Sequence, residues 1–160
     1  MIILGIDPGF DRLGIAVLDK TPKGEFVLYS NCFRTKRGNS SSLRLAEIQN
    51  ELGKIIRKYS PKLAGIEKLF FNTNQKTATG VSEARGVILS TLGQKKIPVM
   101  EFSPPQIKVA VAGYGRAEKS QVAKMVMAIL KLKTLPKYDD ETDALAVALT
   151  ASASFIHKNL

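Results

Sequence analysis

Met1-Ile2-Ile3-Leu4-Gly5-Ile6-Asp7-Pro8-Gly9-Phe10-Asp11-Arg12-Leu13-Gly14 is the stretch from which the rest of the chain can be read. Met1 to Ile6 has the length and apolar content of a buried strand. Pro8-Gly9 then forces a turn, because proline fixes φ and glycine tolerates positive φ. A second apolar run, Gly14 to Leu18, turns the chain back. An acid therefore stands where a hydrophobic strand meets its turn. Taken alone, Asp7 has two readings: it caps the turn through its side chain, or it presents a carboxylate at a strand end.

Working outward, Glu25–Thr35 reads as a third strand, joined through Pro22-Lys23-Gly24 in an antiparallel meander. Gly38 to Ser42 is a loop, followed by a helix with Leu45, Ile48, Leu52, Ile55 and Ile56 on one stripe. Leu63–Ile66 is a short buried strand that ends on Glu67. A polar loop, Asn72-Thr73-Asn74, precedes a helix to about Leu92, and Pro98–Phe102 is another strand. Pro104-Pro105 starts a helix that Gly113 stops. Ser120 begins the next, with Val122, Met125, Val126, Ile129 and Leu130 at helical spacing. Pro136 interrupts, and Asp139 or Asp140 opens the last helix. The order βββαβαβ and then helices predicts an α/β fold, a mixed sheet covered by helices on both faces.

A chain of 160 residues fits one domain, here 1–160, and can bury a real core. The 44% hydrophobic content argues against disorder. No apolar run approaches the roughly 20 residues needed to span a bilayer, and no basic leader or small-residue cleavage site opens the chain. One cysteine, Cys32, and one histidine exclude an internal disulfide and a Cys/His zinc site. A cytoplasmic location is the expectation. The net charge of +10, from 24 Lys and Arg against 14 Asp and Glu, suggests a polyanionic partner such as nucleic acid. The excess is local: Pro105 to Lys137 holds seven basic residues and one acid, Glu118.

Two strands end on acids, Asp7 and Glu67, and neighbouring strands would bring both to one sheet edge, where sites in open α/β sheets lie. Asp140 and Asp143, at i and i+3, share a helix face. Four converging carboxylates repel and take up protons unless cations neutralise them. Hard oxygen donors suit Mg²⁺ or Mn²⁺, and a pair of such ions is the usual clamp for phosphodiester cleavage. The competing reading is that Asp139, Asp140 and Glu141 only complement the helix dipole. Gly113 to Ser120 places a glycine-rich loop before a helix N-terminus, which is either a phosphate site or a plain turn. Of Phe70-Phe71, one ring either faces bases or packs under its loop. Cys32, inside an apolar strand, reads as inert.

The segments Ile3–Gly9, Ile66–Phe71, Ala84-Arg85-Gly86, Gly113–Val122 and Asp140–Ala146 together resemble, in order and over nearly the whole length, the RuvC family of crossover-junction endodeoxyribonucleases. The resemblance implies an RNase H-like fold with a five-stranded mixed sheet flanked by helices. It implies a homodimer that binds four-way (Holliday) junctions and makes paired nicks leaving 5′-phosphate and 3′-hydroxyl ends. It also implies two Mg²⁺ or Mn²⁺ ions per site, and a RuvA–RuvB branch-migration complex as partner. By the same resemblance Asp7, Glu67, Asp140 and Asp143 are the metal-binding acids. Lys119 supports cleavage, Lys108, Lys119 and Arg116 contact DNA, and Phe70 engages bases at the junction centre. The chain departs from the family pattern at Leu13-Gly14-Ile15, where Thr-Gly-aromatic is common, and at Glu141-Thr142, where two alanines are common. Asp139 competes with Asp140 as the ligand, and the Asp-x-x-Asp spacing favours Asp140.

Two rival readings share parts of this pattern. A junction-binding protein without catalysis would keep the basic patch but lack a working metal site. An ATPase of the actin/Hsp70 class also begins with a strand ending in Asp-x-Gly, but 160 residues leave no room for its second domain, and no Walker-type phosphate loop appears.

Overall fold

The apolar runs separate by period. Where side chains must face both ways into apolar layers the run is continuous, and where one stripe faces in, it recurs at helical spacing. The computed structural model describes residues 1–69 and 75–157. The strands are β1 (Ile2–Asp7), β2 (Arg12–Thr21), β3 (Gly24–Arg34), β4 (Leu63–Glu67) and β5 (Val99–Phe102). The helices are α1 (Ser41–Tyr59), α2 (Gln75–Gln94), α3 (Pro104–Ala112), α4 (Lys119–Leu130) and α5 (Asp139–His157). The sheet order is β3-β2-β1-β4-β5, with β1, β2 and β3 antiparallel and β1, β4 and β5 parallel. The mixed α/β sheet expected from the element order is therefore the one observed. The polar loop expected at 72–74, and Phe70 with it, lie outside the described residues.

One boundary and one buried face differ most from the sequence-based expectation. β2 runs to Thr21 rather than Leu18, because a register shift between Val17 and Leu18 lets Leu18–Thr21 keep pairing with Gly24–Val27. Such a bulge sharpens the twist of the hairpin without ending it. In α4 only Val122, Val126 and Leu130 are buried, whereas Met125 and Ile129 are exposed. The apolar stripe of this helix is wider than the face it buries.

Strand alternation sorts the core into two layers. Leu4, Ile6, Leu13, Ile15, Val17, Ala64 and Ile66 face α1 and α2. Ile3, Ala16, Leu18 and Leu63 face α3, α4 and α5. The second face also carries a row of very small residues. Ala16 of β2 pairs with Gly5 of β1, and Gly5 pairs with Gly65 of β4. Across this row lie Ala144, Ala148 and Ala151 of α5. A Cβ built on Gly5 would stand 2.2 Å from the Ala144 carbonyl oxygen, and one on Gly14 2.0 Å from that of Asp140. The sheet thus lets α5 approach backbone to backbone, and that closeness fixes where the first turn of α5 arrives.

Helix ends follow local chemistry. Ser40 caps α1, accepting from the Leu43 N–H at 3.4 Å, and Ser60 ends it in the left-handed region. Ser103 and Gln106 form a reciprocal capping box on α3 behind Pro104-Pro105.

Candidate active site

The register that pairs Ile6 with Ile66 sets Asp7 and Glu67, the next residue of each strand, side by side at the same sheet end. Both belong to the alternating set that faces α5. The first turn of α5 is drawn down beside them by Gly14, which pairs with Asp7 and lies under the Asp140 backbone. Asp140 and Asp143 are thereby added to Asp7 and Glu67. The four acids singled out in the sequence come together, and the ionisation of Asp7, Glu67 and Asp143 reflects it. Burial first, and then the charges of Glu67, Asp143 and Asp140, push the Asp7 carboxyl well above the usual range. Glu67 is pushed up by burial and by Asp143. Asp143 is pushed up by burial, which its ion pair with Lys119 only partly offsets.

The choice between Asp139 and Asp140 is a matter of direction. Asp139 is exposed, while Asp140 is mostly covered and adds its charge to the Asp7 shift. Asp139 instead holds Lys119, whose ammonium donates to Asp139 Oδ2 at 2.9 Å and pairs with Asp143 Oδ2 at 2.8 Å. Desolvation works against the charged lysine, but the hydrogen bonds to Asp143 and Asp139 outweigh it and raise the Lys119 pKa. Lys108 shares a cleft with Lys119, Glu67 and Asp143, floored by Ile107, Val122 and Ala146. Arg116 is exposed on the turn between α3 and α4. The N-terminus of α4 is partly closed by its own chain: Gln121 Oε1 accepts from the Glu118 N–H at 2.8 Å and from the Tyr114 hydroxyl at 2.5 Å. With an acid at the cap as well, this turn is poorer for phosphate than its glycines suggest.

The contacts of three residues were not legible in the sequence. Arg12 Nε lies 3.3 Å from Asp140 Oδ2, and its Nη1 3.9 Å from Asp139 Oδ1. The Cys32 thiol faces Asp140 Oδ2 at 3.8 Å, and burial raises its pKa. Ser30 donates to Glu141 at 2.5 Å, so Glu141 is turned toward β3 and away from the other acids. All follow from β2–β3 pairing, which sets Gly14 opposite Cys32 and Ala16 opposite Ser30 on the α5 face. The signal was the period-two alternation carried into β3, once α5 is known to cover that face.

The donors fit a hard divalent cation in kind: all four are carboxylates, and the raised pKa values of Asp7, Glu67 and Asp143 mark a site short of positive charge. Lys119 and Arg12 occupy part of that demand. In this arrangement no three acids among the described residues are gathered closely enough to ligate one ion. Asp140 and Asp143 would leave Arg12 and Lys119 to do so. The expected result is that Mg²⁺ or Mn²⁺ raises the melting temperature at pH 8, as ligand linkage requires. An Asp7→Asn variant should lose most of that rise. Equal rises in both proteins, measured by scanning fluorimetry, would remove Asp7 from the ion site.

Known proteins resemble this chain over nearly its whole length. The family model described as "Crossover junction endodeoxyribonuclease RuvC" matches residues 3–151. A protein of that name from Prochlorococcus marinus (strain NATL1A) is 44% identical over 150 residues, covering 94% of this chain and 97% of the relative. The structure of Thermus thermophilus RuvC superposes with a TM-score of 0.92 at 31% identity, covering 99% of this chain and 97% of that one. The same protein in complex with a Holliday junction substrate gives 0.89 at 32% identity, with 97% and 96% covered. The five-stranded mixed sheet flanked by helices is thus the RNase H-like fold. Among the described residues no helix is long and apolar enough to cross a membrane.

Proposed function

Because the chain belongs to the RuvC family of crossover junction endodeoxyribonucleases, we propose that it resolves four-way Holliday junctions in DNA recombination and repair. It does so by paired, metal-dependent phosphodiester hydrolysis that leaves 5′-phosphate and 3′-hydroxyl ends. The protein is a DNA-cleaving hydrolase, and its family is metal-dependent. The observation that carries the reading for this chain is the meeting of Asp7, Glu67, Asp140 and Asp143 at one sheet end beside a lysine-lined cleft.

In this reading those four carboxylates hold two Mg²⁺ or Mn²⁺ ions. Bound there, the ions supply Lewis-acid activation of water and neutralise charge on the leaving 3′ oxygen. The protein's own part is positioning. Asp7 and Glu67 stand on strand ends packed into both core layers, so neither can drift. Lys119, released from Asp143, becomes a preorganised cation for charge that grows on the phosphorane. Lys108 holds a flanking phosphate, Arg116 reaches the backbone from the α3–α4 turn, and Phe70 engages bases at the junction centre.

A second copy of this chain completes the reading, since a two-fold dimer matches a junction of approximate two-fold symmetry and places a site on each of two strands. A RuvA–RuvB branch-migration complex would present the junction, in the cytoplasm. The direct test is incubation with a synthetic mobile four-way junction and Mg²⁺. Paired, symmetric, ligatable nicks are expected, and an intact junction would overturn the reading. Lys108→Ala should weaken junction binding and lower the slope of log K against log salt by roughly one. An unchanged slope would take Lys108 off the phosphates.

A further inference from the structure

The last residues of β3 and the loop beyond it, Arg34-Thr35-Lys36-Arg37, form a basic run that the function so far leaves unused. Arg34, Thr35 and Arg37 line a cleft together with Arg12 and Asp11. We propose that this cleft binds a backbone phosphate of the junction DNA, one step beyond the carboxylates on the side opposite Lys108. The proposal deepens the junction-nuclease reading and rests on it for the identity of the DNA.

Four observations carry the site. First, its charge is not cancelled from within. Asp11, the single acid of the lining, is paired with Arg44, and that hydrogen bond holds its carboxyl below the ordinary value. Arg12 is paired with Asp140 and Asp139. Among the described residues no carboxylate is paired with Arg34 or Arg37. Arg34 lies instead over the Tyr138 ring, 4.4 Å from its centroid.

Second, Arg12 and Arg34 are direct cross-strand partners in the β2–β3 ladder. Like charges directly opposite each other destabilise a strand pair. An anion held between the guanidinium groups removes that cost, and the planar fork of arginine suits a phosphate better than any other side chain.

Third, the floor is preformed. Thr35 is buried, donates to the Phe10 carbonyl at 2.9 Å, and accepts from Arg44 Nε at 2.8 Å. The turn after β1 is thereby stapled to the end of β3.

Fourth, the cleft is continuous with the acids. Arg12 also lines a neighbouring groove with Asp140, Gly9, Phe10 and Gly80. The sheet order β3-β2-β1-β4-β5 puts the arginines on β2 and β3 and beyond, the acids on β1 and β4, and the Lys108 cleft past Glu67. A polynucleotide lying across this end of the sheet meets Lys108, then the carboxylates, then Arg12 with Arg34 and Arg37.

The test uses the full chain and a fluorescent four-way junction in EDTA, with anisotropy followed over a salt series. Arg34→Ala/Arg37→Ala should weaken binding roughly tenfold near physiological salt and lower the slope of log K against log salt by about one. Arg34→Lys/Arg37→Lys should keep the wild-type slope while recovering only part of the affinity. Arg37→Ala alone should weaken binding and lower the slope in the same direction by less, which keeps the test valid if losing the Arg34–Tyr138 stack disturbs α5. Wild-type affinity and slope in both alanine variants would overturn the proposal. If the wild type binds four-way junctions no better than duplex, the functional reading falls instead. The same slope comparison on duplex then still decides the cleft.

Discussion

An Asp7→Asn protein is expected to melt higher than the wild type in chelator at neutral pH and to lose most of its junction cleavage. The two effects share one cause. Asp7 is covered by the sheet end and α5, and Glu67, Asp143 and Asp140 add their charge to the burial that raises its carboxyl pKa. A carboxyl whose folded pKa is raised binds its proton more tightly in the folded chain than in the unfolded one. Its favourable contribution is complete below the ordinary value of 3.8 and is lost as pH rises through the folded value. Toward neutral pH the Asp7 carboxyl is therefore a cost that the metal-free protein carries. Asparagine keeps the shape and cannot ionise.

The gain should be about 1 kcal/mol, or about 2–4 °C for a chain of this size. The gap between the two melting curves should close toward pH 4 and open toward neutrality. Cleavage should fall by at least roughly 10²–10³-fold, the loss seen when one preorganised electrostatic contact at a reacting centre is removed. A variant that cuts at the wild-type rate, or that melts below the wild type at neutral pH in chelator, would refute the site. Asp139→Asn should not reproduce the stability gain, because Asp139 is exposed and its carboxyl is lowered, chiefly by its hydrogen bond from Lys119.

Gly5→Val should cost more stability than any surface substitution, about 3–5 kcal/mol, out of a total that for most domains is only about 5–15 kcal/mol. The new Cβ would sit 2.2 Å from the Ala144 carbonyl oxygen and 2.6 Å from the Ala148 Cβ. Both belong to the body of α5, so the helix must lift as a whole. Gly93→Ala in α2, where nothing lies within 4 Å of the added Cβ, should be neutral or stabilising by up to about 1 kcal/mol, since alanine is the better helix former. Denaturant unfolding of both variants checks the contrast. A Gly5→Val protein as stable as the wild type would mean that α5 does not rest on the glycine row. Gly14→Ala applies the same clash at the Asp140 carbonyl and should lower cleavage out of proportion to stability, because it moves the acid-bearing turn away from Asp7.

These substitutions also mark how far the sequence could be read. Every strand and helix was legible, since period-two and helical patterns are local and proline and glycine punctuate them at Pro8-Gly9, Pro61, Pro104-Pro105 and Gly113. The four acids were legible as candidates because each stands where an apolar element starts or stops. Between Asp139 and Asp140 the Asp-x-x-Asp spacing only favoured Asp140, since both fit the first turn of α5; the rotation of that helix over Gly14 turns Asp140 inward. Arg12 and Cys32 were missed because nothing local connects them to Asp140. The connection runs through two ladders and a helix. Met125 and Ile129 looked like core and are exposed, because periodicity shows which residues could face inward and not how wide the neighbouring surface is.

By itself the sequence determined the kind of fold, the acids at element ends, the basic excess that calls for a polyanion, and the family. All of these are written in residue type and order. The tertiary structure alone decided which carboxylates face one another, which cations hold them, and where the second arginine-lined cleft lies. The physical reason is distance along the chain: Asp7, Glu67 and Asp140 are strangers in sequence. They become neighbours because a row of alanine and glycine across three strands lets one helix lie flat against the sheet.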